Sequence, residues 1–234
     1  MTSSRLPGKV LMDLAGRPLL ERMLERLKRA TTLDEIVVAT TVNASDDPVV
    51  ELARANGVGH FRGSEDDVLS RYLGAARAAG AELVVRVTSD CPLIDPDVLD
   101  RVVQRAMDDA APCDYASNTL LRTYPRGLDV EALHVDVLER IGRMARSQPA
   151  REHVTYFLHA ERRDLFVIAD VVQEQDDSEL RWTVDTPEDL ELVRRIYATA
   201  GLPERWHGYP ELVRQVRAVP ELVTFNAHIA QKSH

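Results

Sequence analysis

The chain has little of most features that announce a function outright. Cysteine is almost missing, with only Cys91 and Cys113 among 234 residues. Neither has a second Cys or a His at metal-ligand spacing, which excludes a disulfide scaffold and argues against a structural zinc site. Two thiols in a chain of this size suit a reducing compartment. No apolar run approaches the roughly 18 residues of a membrane span. The opening Met1-Thr2-Ser3-Ser4-Arg5 lacks the apolar core of a signal peptide, so the expected location is the cytoplasm, with no membrane partner. Basic excess is lacking too. With 29 Lys and Arg against 38 Asp and Glu, the net charge is −9, and no basic stripe with interleaved aromatics is present. Nucleic acid is therefore not an expected partner. Three glycine signatures are absent: the Gly-x-Gly-x-x-Gly dinucleotide loop, the Walker spacing Gly-x-x-x-x-Gly-Lys-Ser/Thr, and the Gly-x-Ser-x-Gly of serine hydrolases. Repeats and low-complexity tracts are missing as well.

What remains is an ordinary globular composition, 44% hydrophobic and 29% charged, enough for one α/β domain over residues 1–234. Pro18 starts a helix whose apolar stripe is Leu19, Leu20, Met23, Leu24 and Leu27. Glu35 to Thr41 is a β-branched run and reads as a buried strand; Asp47-Pro48 opens a helix that Gly57 stops. His60-Phe61 reads as a very short strand, Asp66 to Ala79 as a helix and Glu82 to Val87 as a strand. Asp95-Pro96 caps a helix to about Met107. Cys113 to Ser117 suits a strand and Asp129 to His134 an edge strand. Val135 to Arg146 and Arg151 to His159 read as helices, and Leu165 to Val171 and Leu180 to Val184 as strands. Thr186-Pro187-Glu188-Asp189 carries a cap, a first-turn proline and an acidic third position, followed by a helix and two shorter ones. Strands alternating with helices predict a three-layer α/β/α fold with a mostly parallel sheet and ligands at the carboxyl ends of the strands. Residues 117–160 are richer in Arg and His and break the alternation, as an insertion touching substrate or a second subunit would.

Five groups of residues could carry chemistry, each with a plainer structural reading beside it. Ser3, Ser4, Arg5, Gly8 and Lys9 suit a loop that wraps phosphates, or a solvated terminus. Asp90, directly after a strand, suits a magnesium ligand, or a turn residue bonded to its own backbone. Asp185 stands at another strand end, beside the helix cap Thr186. Together the two carboxylates fit one Mg2+ site if adjacent strands bring them to the same end of the sheet. Ser64, in Gly63-Ser64-Glu65-Asp66-Asp67, suits a nucleotide- or sugar-contacting loop or a helix cap. Arg122 to Asp129, with Arg151-Glu152-His153, suits the binding of an acidic sugar or an ordinary solvated surface.

The blocks RLPGKVL, FRGSEDDVL, DCPLIDP, SNTL, REHVT and RWTVDTPEDLELV, in this order over nearly the whole chain, resemble the spore coat polysaccharide biosynthesis protein F family, cytidylyltransferases related to the CMP-sugar synthetases. The resemblance implies a nucleotide-diphospho-sugar transferase fold and transfer of CMP from CTP to a sugar, with magnesium and in a homodimer, for surface polysaccharide. It implies that Arg5 and Lys9 act on phosphates, and that Asp90 and Asp185 hold the metal. It also implies that residues in the 117–160 segment, Asn118, Arg122, Asp129, Arg151, Glu152 and His153, contact the sugar or a second subunit.

Three departures stand out. Family members resemble a strand followed by Gln-Ala-Arg-Met before this opening, so the reading frame is expected to start upstream of Met1. A central strand contributes roughly 1.5–3 kcal/mol per buried side chain against a net stability of about 5–15 kcal/mol, so a chain starting at Met1 is expected to be destabilised or inactive. Arg126 stands where members tend to carry an acid, and Tyr156 where Pro is common. Two other functions stay open at this point. One is a glycosyltransferase of related fold, disfavoured by Ser89-Asp90-Cys91 in place of Asp-x-Asp; the other is a non-catalytic relic.

Overall fold

A computed structural model describes residues 5–231. After a 3₁₀ turn at Lys9–Leu11, strands β1 (Asp13–Leu14) and β2 (Arg17–Pro18) form a hairpin. Its two-residue loop, Ala15-Gly16, has positive φ at both positions, as the primed turns that match strand twist require. Helix α1 (Leu19–Leu27), strand β3 (Val37–Thr41), helix α2 (Asp47–Ala55), strand β4 (Gly59–Gly63), helix α3 (Val68–Ala79) and strand β5 (Leu83–Arg86) follow. Then come α4 (Pro96–Ala106), β6 (Tyr115–Ser117), β7 (Glu131–His134), α5 (Val135–Met144), α6 (Gln148–Glu152), β8 (Ile168–Asp170), α7 (Pro187–Ala200), α8 (Tyr209–Arg217) and α9 (Pro220–Thr224).

The largest sheet runs β5-β7-β6-β8. Strand β7 is antiparallel to both neighbours while β6 and β8 are parallel, so three of the four strands share one direction. Strands β3 and β4 pair in parallel as a separate ladder. Period-two alternation divides the strand side chains between two cores. Ala116, Ala132, Ala169, Leu83 and Val85 face the core that holds α1, α2 and α4; Tyr115, Leu133, Val84 and Ile168 face the core that holds α3 and α5. That division makes the three layers. A third core joins α7, α8 and α9 to Leu6, Leu14, Tyr124, Leu128, Trp182 and Val184.

Four elements differ from the sequence reading. Residues 131–134 form an interior strand of the sheet, not an edge, because both β5 and β6 pair with them. Strand β4 extends over five residues, in register with all of β3. The helix expected over 151–159 is interrupted: α6 stops at Glu152, and Val154 has φ 37, which no right-handed helix accepts. Residues 180–184 form no strand but one isolated bridge, Arg126 to Arg181. The reason is local. Pro125 has no N–H to donate, and Gly127 (φ 106) turns the chain away, so Arg126 alone can pair. The apolar residues of β3 and β5 are mostly half-buried because each strand is the edge of its sheet among the described residues.

Gly127 is required sterically. A Cβ there would lie 2.6 Å from the Trp182 carbonyl carbon, in a backbone conformation that L-residues avoid. Gly127→Ala is expected to destabilise the fold by about 3 kcal/mol or more, read as a lower midpoint in urea unfolding.

Candidate functional site

The residues that come together are held by three separate pieces of chain. The first is the turn into the 3₁₀ segment. Gly8 adopts φ 69, and its carbonyl accepts from Leu11 N, which folds the loop so that Lys9 points inward. The second is the turn after β5, where Asp90 sits. The third is the segment before α7, which carries Asp185. Val184 N donates to the Asp90 carbonyl at 2.8 Å, and this backbone contact sets the second and third pieces side by side.

At their meeting point Lys9 Nζ donates to Asp90 Oδ2 at 2.7 Å and to Asp185 Oδ1 at 2.8 Å. The Lys9 side chain is only 12% exposed. Burial alone would lower its pKa, but Asp90 and Asp185 outweigh burial and hold it above the usual 10.5. The second oxygen of Asp185, Oδ2, meets Arg5 at 3.0 Å and Arg181 at 2.8 Å. Burial alone would raise the Asp185 pKa; Lys9, Arg181 and Arg5 overcome it and hold the carboxyl below the usual 3.8. Two carboxylates therefore converge on one cation, with two guanidiniums flanking them. Such a cluster can bind a cation between the acids and an anion against the bases.

A buried layer stands behind it. Asp189, fully buried at the start of α7, accepts Arg181 Nε at 3.0 Å and the backbone N–H groups of Asp185 and Thr186, both at 3.0 Å. With Thr186 it completes the capping box expected at this helix. Near the carboxyl end of β5, Arg86 pairs with Glu131 across the ladder, and Glu131 also accepts from Tyr115 and Thr155 hydroxyls at 2.6 Å each. Burial would raise the Glu131 pKa, but Arg86 and these hydroxyls lower it. The sequence reading did not single out Arg181, Arg86 or Glu131. Only the spacing of Arg181, four residues before Asp185, hints at a role.

Of the expected site residues, Arg5, Gly8, Lys9, Asp90 and Asp185 lie together, and Ser3 and Ser4 lie outside the described residues. The others have structural partners. The Ser64 hydroxyl accepts from Asp67 N at the start of α3, the helix that Asp67 caps. Asn118 is fully buried, donating to the Leu128 carbonyl at 2.7 Å and accepting from Val130 N at 2.9 Å. Arg122 pairs with Asp129, which ties together the two ends of their loop, and Arg151 pairs with Asp67. Glu152 is exposed and His153 half-buried.

A cytidylyltransferase family model matches residues 1–208. The structure of a cytidylyltransferase from Leptospira borgpetersenii serovar Hardjo-bovis superposes with a TM-score of 0.90 at 33% identity, covering 100% of this chain and 95% of that one. Spore coat polysaccharide biosynthesis protein SpsF of Bacillus subtilis is 32% identical over 86% of this chain and 84% of its own length. A 3-deoxy-manno-octulosonate cytidylyltransferase of Geobacter sulfurreducens is 37% identical over 43% of this chain and 40% of its own.

The Lys9 bridge has a pH signature. A carboxyl whose pKa falls on folding stabilises the fold above its unfolded value and loses that contribution as pH drops through the folded value. An ammonium whose pKa rises contributes below its unfolded value and loses it as pH climbs through the folded one. Lys9→Met is therefore expected to lower Tm most across the plateau between the usual values of 3.8 and 10.5, with the deficit shrinking outside it. Thermal melts of both proteins over a pH series check this.

Proposed function

The chain belongs to the cytidylyltransferase family, and we propose that it transfers CMP from CTP to a hydroxyl of an anionic sugar, releasing pyrophosphate, in the synthesis of a surface polysaccharide. The observation that carries this reading is the convergence of Asp90 and Asp185 on one cation between Arg5 and Arg181. Those two carboxylates would hold a magnesium ion. A pair of carboxylates suits an ion that binds one or two of them and completes its shell with phosphate oxygens and water. When bound, the metal neutralises charge on the triphosphate.

The chain's own residues do the rest. Lys9, kept protonated by its surroundings, is a point charge for phosphate oxygens once the carboxylates have another cation to hold. Arg5 is a fork that can grip two oxygens at once. The acceptor oxygen attacks the α-phosphorus and loses its proton to solvent water; the bond to the bridging oxygen breaks, and pyrophosphate takes the electron pair. Charge builds on phosphate oxygens during this step, so fixed cations stabilise the transition state more than the ground state.

The anionic character of the sugar is supported by Arg126. Its guanidinium makes no ion pair or hydrogen bond among the described residues, and its charged neighbours are Arg122, Arg181 and Asp129. Burial and the two neighbouring arginines outweigh Asp129 and lower its pKa. The bridge to Arg181 fixes its backbone beside the site. Polysaccharide synthesis is supported by the SpsF relative alone.

Two outcomes are expected. With magnesium and a panel of acidic sugars, pyrophosphate release should prefer CTP over ATP, GTP and UTP, and Asp185→Asn should lower it by about 100-fold or more while the protein stays folded. Turnover of nucleoside diphosphate sugars without CTP would overturn the reading. Arg126→Ala should raise KM for the acidic sugar about 10-fold or more and leave KM for CTP nearly unchanged, measured by initial rates.

A further inference from the structure

The family match ends at residue 208, yet the chain beyond it reaches the back of the site. After α9 the backbone turns, and Asn226 is sealed into the interior at 2% exposure. Its amide Nδ2 donates to Asp189 Oδ1 at 2.7 Å and to the Arg181 carbonyl at 3.0 Å. Gln231 Oε1 accepts from Arg181 Nη1. Arg181 is thus held from both ends by the C-terminal segment: its carbonyl by Asn226, its guanidinium by Gln231. The same guanidinium spans Asp189 and Asp185 Oδ2, and Asp189 in turn holds the Asp185 backbone N–H.

We propose that Asn226 is a positioning residue for nucleotidyl transfer, keeping Asp189 and Arg181 in the one arrangement that aims Asp185 at the metal and nucleotide. The physical reason is the shared acceptor. Asp189 Oδ1 takes Arg181 Nε and Asn226 Nδ2 together, at 3.0 and 2.7 Å. Losing the amide leaves that buried carboxylate oxygen with a single donor and the Arg181 carbonyl without this one, so the Arg181 fork can slide off the pair of acids. A buried polar network holds a single arrangement only while its members are satisfied. The proposal rests on the role given above to Asp185. Asn226 itself touches neither reacting group.

The test uses the full chain. Asn226→Leu keeps the volume and removes the donor; the smaller Asn226→Ser replaces it if the leucine variant does not fold. Val216→Ala, on the buried face of α8, serves as a control for general destabilisation. Asp185→Asn is run alongside. Magnesium-dependent CTP binding is measured by titration calorimetry, and pyrophosphate release by initial rates. The expected result for Asn226→Leu is about a 10- to 100-fold loss of kcat and a similar rise in half-saturating magnesium. Its calorimetric affinity for CTP should fall with magnesium present and stay near that of the unaltered chain without it. Val216→Ala should leave all of these close to the unaltered protein at temperatures where both are folded. If Asn226→Leu tracks Val216→Ala, the residue is merely structural and the proposal fails. If instead Asp185→Asn turns over normally, the functional reading fails with it.

Discussion

An ammonium largely shielded from water must be matched by negative charge, and half-buried Lys9 is matched by two carboxylates from distant parts of the chain, 81 and 176 residues away. Desolvating a cation is costly, so the bridge is favourable only if both acids sit within hydrogen-bond reach. That requirement fixes much else. The turn after β5 must lie beside the segment before α7, which the Val184–Asp90 backbone bond secures. The N-terminal loop must fold back over both, which Gly8 permits by its positive φ. The carboxyl end of β5 thus becomes a site because three loops are pinned there by one charge balance.

The balance extends inward. Three cations (Arg5, Lys9 and Arg181) are interleaved with three carboxylates (Asp90, Asp185 and Asp189), and the deepest acid is fully buried. The outer members are partly exposed; of the inner pair, Asp189 accepts from backbone N–H groups and Arg181 donates to Asp189 and Gln231. On the proposed reading, a triphosphate and its counter-ion exchange partners with the outer layer while the inner layer stays put. Preorganisation of this kind lets charged groups act on a reacting phosphate without reorganising during the reaction.

Much of the fold was legible because local chemistry and tertiary structure agree. The α1 stripe is buried as its spacing predicts, Asp95 caps α4, and Thr186 with Asp189 forms the box at α7. The misreadings have one cause: propensity speaks for a segment and says nothing of its partners. Residues 180–184 have a strand's composition but, among the described residues, form one isolated bridge to Arg126, which Pro125 and Gly127 flank, and one backbone bond from Val184 to Asp90. Residues 131–134 read as an edge, yet two strands flank them. The residue types of Asn118, Arg122 and Arg151 likewise said nothing of their partners in the fold, which are Leu128 and Val130, Asp129, and Asp67.

By itself the sequence determined the α/β class and the helix caps, and it offered Arg5, Lys9, Asp90 and Asp185 as candidates for phosphate and metal, a role that its family resemblance implies. These follow from periodicity and from residue types at element ends, both local properties. Only the tertiary structure decided that the four converge, that Arg181, Asp189 and Asn226 stand behind them, and that the Arg126 guanidinium makes no ion pair or hydrogen bond among the described residues. Those outcomes depend on distances between residues far apart in the chain, and such distances are set by how the layers pack.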